Sequence, residues 1–587
     1  MNRLSALVSL LLLSASCIAQ TKSPASLPPI FGTDRAQAVQ TDPTVRRYLP
    51  ATRILWRTGT ITNADRLLKP GNGQADLSGK DLCSLKSDSQ TKPGLLLDFG
   101  KELHGGIQLV TGQWPVSKPI TVRIRFGESA SEAMADIEPK QNATNDHAIR
   151  DMTVQVPWLG KLEIGNTGFR FVRIDLVDPN TELLLKEARA IFTFRDIPYL
   201  GSFRCSDELL NRIWATGAYT VHLNMQDYLW DGIKRDRLVW VGDMHPEVST
   251  INAVFGYNEV VPKSLDLARD ITPLPGWMNG ISTYSMWWIL IQRDWYQHHG
   301  DLTYLTQQRT YLVQLLNLLT KKIDAQNSEN LDGTRFLDWP SSENKPGIHA
   351  GLQAMMVLSL RAGADLCRIL KDPATAAQCE NAVARLQKNV PPANDSKQGA
   401  ALLALAGLMP AQEANKTVLA VGGAKNFSTF YGYYMLQAQA KAGDYTGALA
   451  NIREFWGGML NLGATTFWED FNLDWTANAG RIDELVPDGK KDIHGDCGAY
   501  CYIGFRHSLS HGWASGPTPW LTEHILGIQV VEPGCKAIKI TPHLEDLTFA
   551  EGTFPTPYGL VRVKHTKRSD GTIQSTVTGP KEVRIIR

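Results

Sequence analysis

The sequence predicts a multidomain protein that is mainly helical and carries β-rich regions at both ends. At 587 residues the chain is too long for one ordinary hydrophobic core. The period of its hydrophobic residues changes from about two to about 3.6 after Cys205, and short strand-like runs return from about Gly527. We therefore expect three folded regions, bounded at residues 20–200, 201–526 and 527–587.

The first residues are typical of a secretory signal peptide. Arg3 supplies a positive charge, Leu4 to Leu13 form a short apolar run, and a cleavage site follows at residues 17–19. Such a run is too short for a permanent membrane-spanning helix. Residues 1–19 are therefore predicted to be removed from an exported protein, periplasmic or secreted. Lipid attachment at Cys17 is the alternative, although Ser14 stands where a lipobox normally has leucine.

Residues 20–200 are predicted to form an antiparallel β-sandwich. In ITVRIRF, from Ile120 to Phe126, hydrophobic residues alternate with Thr and Arg, which is typical of a strand with one buried face. Similar short runs are LLLDFG, GIQLVTG, FRFVRIDLV and AIFTFR. The Gly, Pro and Asn residues between the runs indicate turns.

Residues 201–526 are predicted to be helical. Ser206 is a good N-cap, and the apolar residues after it share one helical face: Leu209, Leu210, Ile213 and Trp214. Further helices are predicted near Leu302 to Ile323, Ala350 to Leu370, Ala376 to Gln387, Ala400 to Leu408, Tyr431 to Ala442 and Gly447 to Leu460. The alternation of helices and irregular loops is consistent with a barrel of α-hairpins. In residues 527–587, the runs KAIKI, LVRVKHT and IQSTVTG predict a small β-domain packed on this barrel.

Charge and cysteine content exclude some classes of partner and cofactor. Lys and Arg number 60 and Asp and Glu 59, so there is no electrostatic reason to expect nucleic acid or an anionic membrane as partner. Removing Cys17 from the eight cysteines leaves seven, an odd number that implies a free thiol in an oxidising compartment. The pairs Cys367 and Cys379, and Cys497 and Cys501, have no zinc-like spacing. We predict no metal and no cofactor, and the sequence does not indicate an oligomeric state.

The segment DGIKRDRLVWVGD, from Asp231 to Asp243, is the strongest candidate for a functional site. It brings three carboxylates, two arginines and Trp240 into one short stretch. Crowded carboxylates repel each other, so at least one should keep its proton at a higher pH than a free Asp. A protonated acid beside ionised acids and an aromatic face is what cleavage of a glycosidic bond requires. The alternative is a solvated loop with local ion pairs.

This segment resembles the signature of the inverting α-L-rhamnosidases of glycoside hydrolase family 78. In that family an Asp, a general acid before an Arg-Leu pair, a Trp and a Gly-Asp recur in the same order. GATTFWED, from Gly463 to Asp470, resembles a second family motif, whose Glu is the general base. The likeness continues through SHGWASGPTPWL to the C-terminal strands. The resemblance implies an (α/α)₆ toroid and release of terminal α-L-rhamnose from oligosaccharides, polysaccharides or glycosides.

By this resemblance Asp236 is the general acid and Glu469 the general base. Inverting enzymes need the two carboxyl groups roughly 6.5–9.5 Å apart, with room for a water. Family members commonly have Glu where this chain has Asp236, so Asp231 or Asp243 as proton donor, or low activity, is an alternative. Neighbouring arginines favour an ionised carboxyl, but in an extended segment the side chains of residues 235 and 237 would point away from Asp236.

The same resemblance predicts the residues that contact the sugar. Asp231 and Asp243 resemble acids that hold the hydroxyl groups and keep the general acid protonated. Trp240 resembles an aromatic wall, which suits the methyl group of a 6-deoxy sugar. Trp288, Trp339 and His511 resemble further contact residues. By themselves, these tryptophans are equally explained as core residues and the histidine as a structural hydrogen-bonding group.

Three other functions remain open. One is a glycosidase of the same fold that acts on another sugar, because the motifs fix the mechanism more firmly than the substrate. A second is a toroid polysaccharide lyase, which would use Tyr, His and Arg around a uronate and would not need paired carboxylates. A third is a non-catalytic carbohydrate-binding protein, which would explain the 16 tryptophans and leave the acids without a role. All four predict a carbohydrate as the partner, and the sequence does not identify the glycan.

Overall fold

The computed structural model describes residues 30, 41–137 and 143–587. It divides into two compact units, Met1–Pro43 and Thr44–Arg587, and every element below belongs to the second. The predicted signal peptide, residues 1–19, lies outside the described residues. Within the part that is described, no helix has the length and hydrophobicity needed to cross a membrane.

The N-terminal region is an antiparallel β-sandwich whose nine strands belong to one sheet. The strands are β1 Val45–Pro50, β2 Arg53–Thr58, β3 Thr60–Thr62, β4 Cys83–Lys86, β5 Gly94–Thr111, β6 Ile120–Gly127, β7 Asp151–Val156, β8 Lys161–Leu176 and β9 Glu182–Phe194. Their order in the sheet is β3-β4-β9-β5-β8-β6-β7; in addition, β1 pairs with β9 and β2 with β5. The strands enclose an apolar core of their alternating side chains. A short helix, α1 Ala130–Met134, follows β6.

Two runs predicted as separate strands, LLLDFG and GIQLVTG, belong to the single long strand β5. Its pairing with β8 shifts register between Asp98 and Leu103 and again between Gly105 and Ile107. At Gly105 the backbone φ is +140°, and a Cβ there would lie 2.0 Å from the carbonyl oxygen of Ile191. A glycine is therefore required where this strand bends.

The central region is a toroid of helical hairpins, as the resemblance implied. In the described residues six outer helices alternate with six inner ones. Consecutive inner helices contact one another, and the last contacts the first, which closes the ring. The outer helices are α2 Glu208–Asn224, α4 Val260–Asp270, α6 Leu302–Lys321, α8 Pro373–Leu386, α10 Ala411–Ala414 continued by Asn415–Leu419, and α12 Tyr445–Asn461. The inner helices are α3 Val241–Val254, α5 Ser282–His299, α7 Lys345–Ile369, α9 Lys397–Leu405, α11 Gly432–Ala442, and α13 Pro517–Trp520 continued by Leu521–Ile525.

Local sequence explains most helix boundaries. The six helices predicted by residue range are confirmed as α6 to α9, α11 and α12, with ends within a few residues of those expected. The predicted N-cap Ser206 is wrong by one residue, because the side chain of Asp207 accepts the amide hydrogens of Leu209 and Leu210. The Ser206 hydroxyl instead accepts a hydrogen bond from the amide of Thr548.

The C-terminal β region consists of two small sheets. One has the order β10-β15-β16-β17 and the other β13-β14-β18. Strand β10, Ser202–Cys205, comes from the start of the predicted helical region and pairs with β15. The strands after the toroid are β13 Ile528–Glu532, β14 Ala537–Ile540, β15 Phe549–Thr556, β16 Gly559–Lys567, β17 Ile573–Thr578 and β18 Arg584–Ile586. Two short strands, β11 Ala479–Gly480 and β12 Lys491–Asp492, pair within the loop before α13.

The candidate residues other than Trp288 gather where the inner helices begin, an end of the ring that we call the N-terminal mouth. The segment Asp231 to Trp240 leads into α3, Trp339 precedes α7, and Glu469 lies in the long loop between α12 and α13. A cavity of about 770 Å³ lies toward the C-terminal ends of the same inner helices, between them and β13. None of the candidate residues lines it. The candidate residues at the N-terminal mouth are therefore separate from this cavity.

Candidate active site

The loop from Asp231 to Trp240 is a tight turn, not the extended segment considered above. Asp231 closes it, because its amide donates to the carbonyl of Leu238 and its Oδ1 accepts the Leu238 amide at 2.9 Å. Asp236 and Arg237 both have φ of +55°, in the left-handed region. Trp240 is the N-cap residue of α3. The turn presents Asp236 with its side chain 16% exposed.

The two arginines beside Asp236 behave differently. Arg237 turns away and donates to the carbonyl oxygens of Asn166 and His147 at 2.9 and 2.8 Å. Arg235 does not turn away: its Nη1 lies 3.4 Å from Asp236 Oδ1. The expectation of outward-pointing arginines is thus confirmed for Arg237 and wrong for Arg235, because the left-handed backbone breaks the strand-like alternation.

Arg235 also donates through Nη2 to Glu469 Oε1, so one guanidinium joins the two predicted catalytic residues. Burial by itself would lower the pKa of Arg235, but the negative charges of Glu469 and Asp236 outweigh it and raise that pKa further above its usual range. The guanidinium lies over the ring of Tyr502, 5.2 Å from its centre. Arg235 is therefore a permanent cation at the centre of the mouth.

Glu469 is almost fully buried and held from several sides. Its backbone carbonyl accepts hydrogen bonds from Thr429 Oγ1 at 2.6 Å and Trp513 Nε1 at 2.8 Å. Its Oε2 accepts the amide of Ser508 at 3.2 Å, and its Oε1 lies 3.7 Å from His511 Nδ1. The carboxylate therefore has a fixed orientation toward the mouth.

His511 connects Glu469 to a second buried acid, Asp243, in the first turn of α3. Its Nε2 lies 2.9 Å from Asp243 Oδ2, and the hydroxyl of Tyr284 donates to Asp243 Oδ1 at 3.2 Å. Burial opposes a charged imidazole, but Glu469 and Asp243 outweigh it and raise the pKa of His511 to about 9. At neutral pH His511 is therefore a buried cation between two acids.

Asp231 is a buried acid whose surroundings act against its ionised form. It is 2% exposed, and burial, together with the charges of Asp243 and Asp236, raises its pKa well above the usual range. Its backbone carbonyl accepts the amide of Gly512 at 2.8 Å. The direction of this shift agrees with the expectation that one carboxyl of the segment holds its proton to a higher pH than a free Asp, and burial contributes more to it than crowding.

Aromatic side chains border the acids. Trp240 is half-buried, its ring meets that of Tyr284 edge to face at 6.1 Å, and its Nε1 has no hydrogen-bond partner among the described residues. Trp339 shares a recess with Glu469, Tyr502 and Trp513. Aromatic faces and a free indole N–H therefore lie beside the carboxylates.

Trp288 lies apart from this group. It is fully buried in α5, donates from Nε1 to the carbonyl of Leu265 at 3.2 Å, and packs on Tyr311 with ring centres 5.4 Å apart. Leu265 and Tyr311 belong to the outer helices α4 and α6. This position corresponds to the buried-helix alternative, because no ligand in the mouth reaches a ring that faces outward.

Sequence reasoning missed the residues that the β-sandwich region contributes. The ammonium of Lys234 lies 3.2 Å from Glu128 Oε2 and 3.0 Å from Glu132 Oε1, and it donates at 2.8 Å to the carbonyls of Phe505 and His507. His147 Nδ1 lies 3.2 Å from Asp236 Oδ1. Lys234 lies within the motif from Asp231 to Asp243, but no sequence pattern near Glu128, Glu132 or His147 indicated that these residues contact that motif.

Glu128, Glu132 and His494 are close enough together to hold a metal ion. However, the ammonium of Lys234 already contacts both carboxylates. His494 uses Nδ1 for the hydroxyl of Ser129 at 2.7 Å and Nε2 for the carbonyl of His507 at 2.9 Å. The two carboxylates therefore bind the ammonium of Lys234, and the histidine nitrogens are used for hydrogen bonds, so these side chains are engaged with protein groups. The seven cysteines in the described part of the chain are free thiols.

A ring of six helical hairpins with buried carboxylates at one mouth defines the class of six-hairpin glycosidases. Residues 198–525 match the family model of the bacterial alpha-L-rhamnosidase 6 hairpin glycosidase domain. Residues 527–586 match the bacterial alpha-L-rhamnosidase C-terminal domain. The chain belongs to the bacterial α-L-rhamnosidase family, which confirms the resemblance found in the two motifs.

Individual relatives are distant. An alpha-L-rhamnosidase of Alteromonas sp. (strain LOR) is 24% identical over 569 residues, which cover 88% of this chain and 58% of the relative. The GH78 family rhamnosidase of Bacillus sp. GL1 superimposes with a TM-score of 0.71 at 21% identity, covering 89% of this chain and 55% of that one. A Klebsiella oxytoca rhamnosidase with rhamnose bound gives 0.64 at 18% identity, covering 82% and 95%. The chain thus spans little more than half the length of the first two, and these likenesses establish the fold.

Proposed function

We propose that the protein is an exported, inverting α-L-rhamnosidase that removes terminal α-L-rhamnose from oligosaccharides, polysaccharides or glycosides. Asp236 acts as the general acid and Glu469 as the general base. The export part of this proposal depends on the sequence of residues 1–19 alone. The catalytic part depends mainly on one observation, the guanidinium that both carboxylates share.

The shared guanidinium limits the distance between the two carboxyl groups. Arg235 Nη1 lies 3.4 Å from Asp236 Oδ1, and Nη2 donates to Glu469 Oε1. Because both nitrogens belong to one planar group, the two carboxyl oxygens are at most about 8 Å apart, a distance compatible with the roughly 6.5–9.5 Å of inverting glycosidases. A retaining enzyme would need about 5–5.5 Å and a nucleophile rather than a water-activating base. The upper limit allows that spacing too, so the anomer that is released first decides between the two mechanisms.

The surroundings of each acid suit its role. Glu469 is buried, and a guanidinium, an imidazolium and the Ser508 amide face its oxygens, which orients a base that accepts a proton from water. Asp236 is more exposed, as a group that reaches the leaving oxygen should be. Proton donation to that oxygen and water attack from the opposite face invert the anomeric carbon.

The remaining residues suit recognition of a deoxy sugar. The carboxyl groups of Asp231 and Asp243 offer hydrogen-bonding groups to ring hydroxyls. Trp240 supplies an apolar face and the unpaired Nε1, and Trp339 borders the recess beside Glu469. A methyl group against an aromatic wall and hydroxyls against carboxyls favour a 6-deoxy sugar over one with a hydroxymethyl group.

Hydrolysis of an aryl α-L-rhamnoside tests this proposal. We would compare the wild type with Asp236→Asn and Glu469→Gln and follow the first released anomer by NMR. The β-anomer should appear first, and each variant should lose about 10²–10⁴-fold in kcat, with a smaller loss for Asp236→Asn because an activated aryl group needs little protonation. Asp474→Asn, an exposed carboxylate five residues after Glu469, is the control and should retain full activity.

Other outcomes identify the alternatives. Release of the α-anomer first would contradict inversion. Turnover of other glycosides alone would indicate a different sugar, and unsaturated products from a uronate polymer would indicate a lyase. Glycan binding that persists in both variants, without turnover by the wild type, would indicate a binding protein.

A further inference from the structure

His147, in the β-sandwich region, touches the proposed general acid. It lies in the segment between α1 and β7, and its Nδ1 is 3.2 Å from Asp236 Oδ1. Its side chain is 32% exposed, so one part of the imidazole faces the acid and another part faces solvent. A histidine in this position is able to transfer protons between the two.

Contacts from several segments hold the backbone of His147 in place. The guanidinium of Arg237 donates to the His147 carbonyl at 2.8 Å. The His147 amide donates to Asp146 Oδ1 at 3.0 Å, and Arg506 pairs with Asp146 through its guanidinium. The residue is therefore positioned by the loop of Asp236 itself and by the loop before α13.

Asp236 needs such a partner because of Arg235. A general acid has to carry a proton when substrate is bound, yet a guanidinium 3.4 Å away favours the ionised form of a carboxyl. Asp236 is also shorter by one methylene than the glutamate common in the family. A neighbouring group able to pass a proton to Asp236 would offset both features.

We propose that His147 and Asp236 act as one acid, with the proton stored on the imidazole; this inference rests on the proposed function. The pair starts as imidazolium and carboxylate. As the C1–O bond breaks, its electron pair stays on the glycosidic oxygen. Nδ1 of His147 gives its proton to the Asp236 carboxylate, and the carboxyl gives a proton to that oxygen. The pair ends as neutral imidazole and carboxylate, and His147 regains a proton from solvent.

Charged groups of both signs surround His147 and Asp236. Facing His147 are Asp236, Asp146 with its Oδ2 3.7 Å from Nε2, and Arg506 with its Nη2 3.4 Å from Nε2. The two acids favour the imidazolium, and Arg506, whose guanidinium donates to Nε2, opposes it. Proton uptake from solvent at Nε2 therefore requires the contact with Arg506 to open. Facing Asp236 are the guanidinium of Arg235 and the buried carboxyl of Asp231. Histidine is the side chain whose charge changes between about pH 5 and 8.

The first test uses the wild type and two rhamnosides, one with a poor alkyl leaving group and one with an activated aryl group. Proton donation limits only the first. For the alkyl substrate, kcat should stay high up to the histidine range of about pH 6–8 and fall above it. A fall that is complete by about pH 5, as for a lone carboxyl, would overturn the proposal.

The second test replaces His147 by Gln, which keeps a hydrogen-bond donor but does not titrate. At neutral pH His147→Gln should lose at least about 10-fold in kcat on the alkyl rhamnoside and less than about 3-fold on the aryl rhamnoside. The loss should shrink as the pH is lowered. KM should not change. His543→Gln, an imidazole stacked on Tyr445 in the C-terminal part, is the control and should match the wild type.

The outcomes separate this inference from the proposed function. Equal losses on both substrates at every pH would show that His147 only holds the loop, and an unchanged pH profile would show that it has no role; either result overturns the inference. Failure of the wild type to hydrolyse any rhamnoside would instead contradict the proposed function.

Discussion

Asp236 shows how a single residue depends on its backbone. Asp236 and its neighbour Arg237 both have left-handed backbone angles, which cost roughly 1–3 kcal/mol each for residues with a Cβ. The hydrogen bonds between Asp231 and Leu238 close the turn and maintain these angles. Strain of this kind persists only where surrounding contacts fix the conformation, and such places are commonly functional.

A second residue, Asp470, allows a test of how burial affects acids in this mouth. It follows Glu469 and is 6% exposed. Burial, with the charge of Glu469, raises the pKa of Asp470 to about 7. The unfolded chain releases this proton near pH 4 and the folded chain near pH 7, so folding is favoured most below about pH 4 and loses stability as the pH rises to about 7.

Asp470→Asn should therefore stabilise the protein at high pH. The melting temperature of the variant should exceed that of the wild type at about pH 8, and the difference should vanish toward pH 4. The gain in unfolding free energy has a ceiling of about 4 kcal/mol. Thermal unfolding across this pH range, with Asp474→Asn as the exposed control, gives the comparison. A difference that is the same at every pH would contradict the assigned titration.

At the scale of elements, the loop between α2 and α3 is held by one lysine. Lys234 contacts four oxygens, two from carboxylates of the β-sandwich region and two from carbonyls in the loop before α13. It directly precedes Arg235 and Asp236. A buried ammonium in such a site fixes the position of the residues beside it. The pKa of Glu128 is raised by burial to about 7 even with Lys234 present.

Replacing this lysine should displace the loop. Lys234→Met leaves Glu128 and Glu132 buried without their cation, and removing one partner of a buried ion pair commonly costs about 3–5 kcal/mol. We expect a lower melting temperature and a lower kcat. The double variant Lys234→Met with Glu132→Gln should recover part of the stability, because one buried charge is gone. Melting curves and rhamnoside turnover measure both effects, and a single variant as stable as the wild type would contradict this account.

At the scale of the whole molecule, the β-sandwich region supports the active site directly. Arg170 donates to the carbonyl of Gly463 at 3.1 Å, and the Glu102 amide contacts Thr465 Oγ1 at 2.9 Å. Both partners belong to the GATT motif that precedes Glu469. Together with Glu128, Glu132 and His147, these contacts connect the N-terminal region to both segments that carry the proposed catalytic residues.

A chain that starts at residue 198 should accordingly be inactive. It would keep every residue of the toroid and both family motifs, yet it would lack the contacts to Gly463, Thr465 and Lys234. We expect loss of turnover and a large fall in melting temperature. Production together with residues 44–197 should restore some activity. Full kcat in the shortened chain would show that the toroid orients its own catalytic loops.

The sequence predicted the parts of the site that lie in contiguous motifs. Asp236 and Glu469 were proposed from such motifs, the structure places both at the same mouth, and hydrophobic periodicity located most of the helices. The sequence did not reveal that Arg235 contacts both Asp236 and Glu469, because that arrangement depends on the left-handed turn at Asp236. Periodicity also did not indicate which side of an inner helix faces the mouth, and Trp288 faces outward. Contacts from His147 and Glu128 depend on segments far apart in the chain.

The pairing of β10 with β15 has a consequence for the ring. A ring made of consecutive hairpins has no loop that joins its last helix, α13, to its first, α2. The ring could therefore open between these two helices without strain on any connecting loop. Strand β10 directly precedes α2, and β15 follows α13; their hydrogen bonds, from Ser202 with Thr553 to Cys205 with Ala550, supply a connection at this point. The circumference of the toroid, and with it the width of the mouth in which a sugar would lie, is therefore fixed partly by a sheet outside the helices.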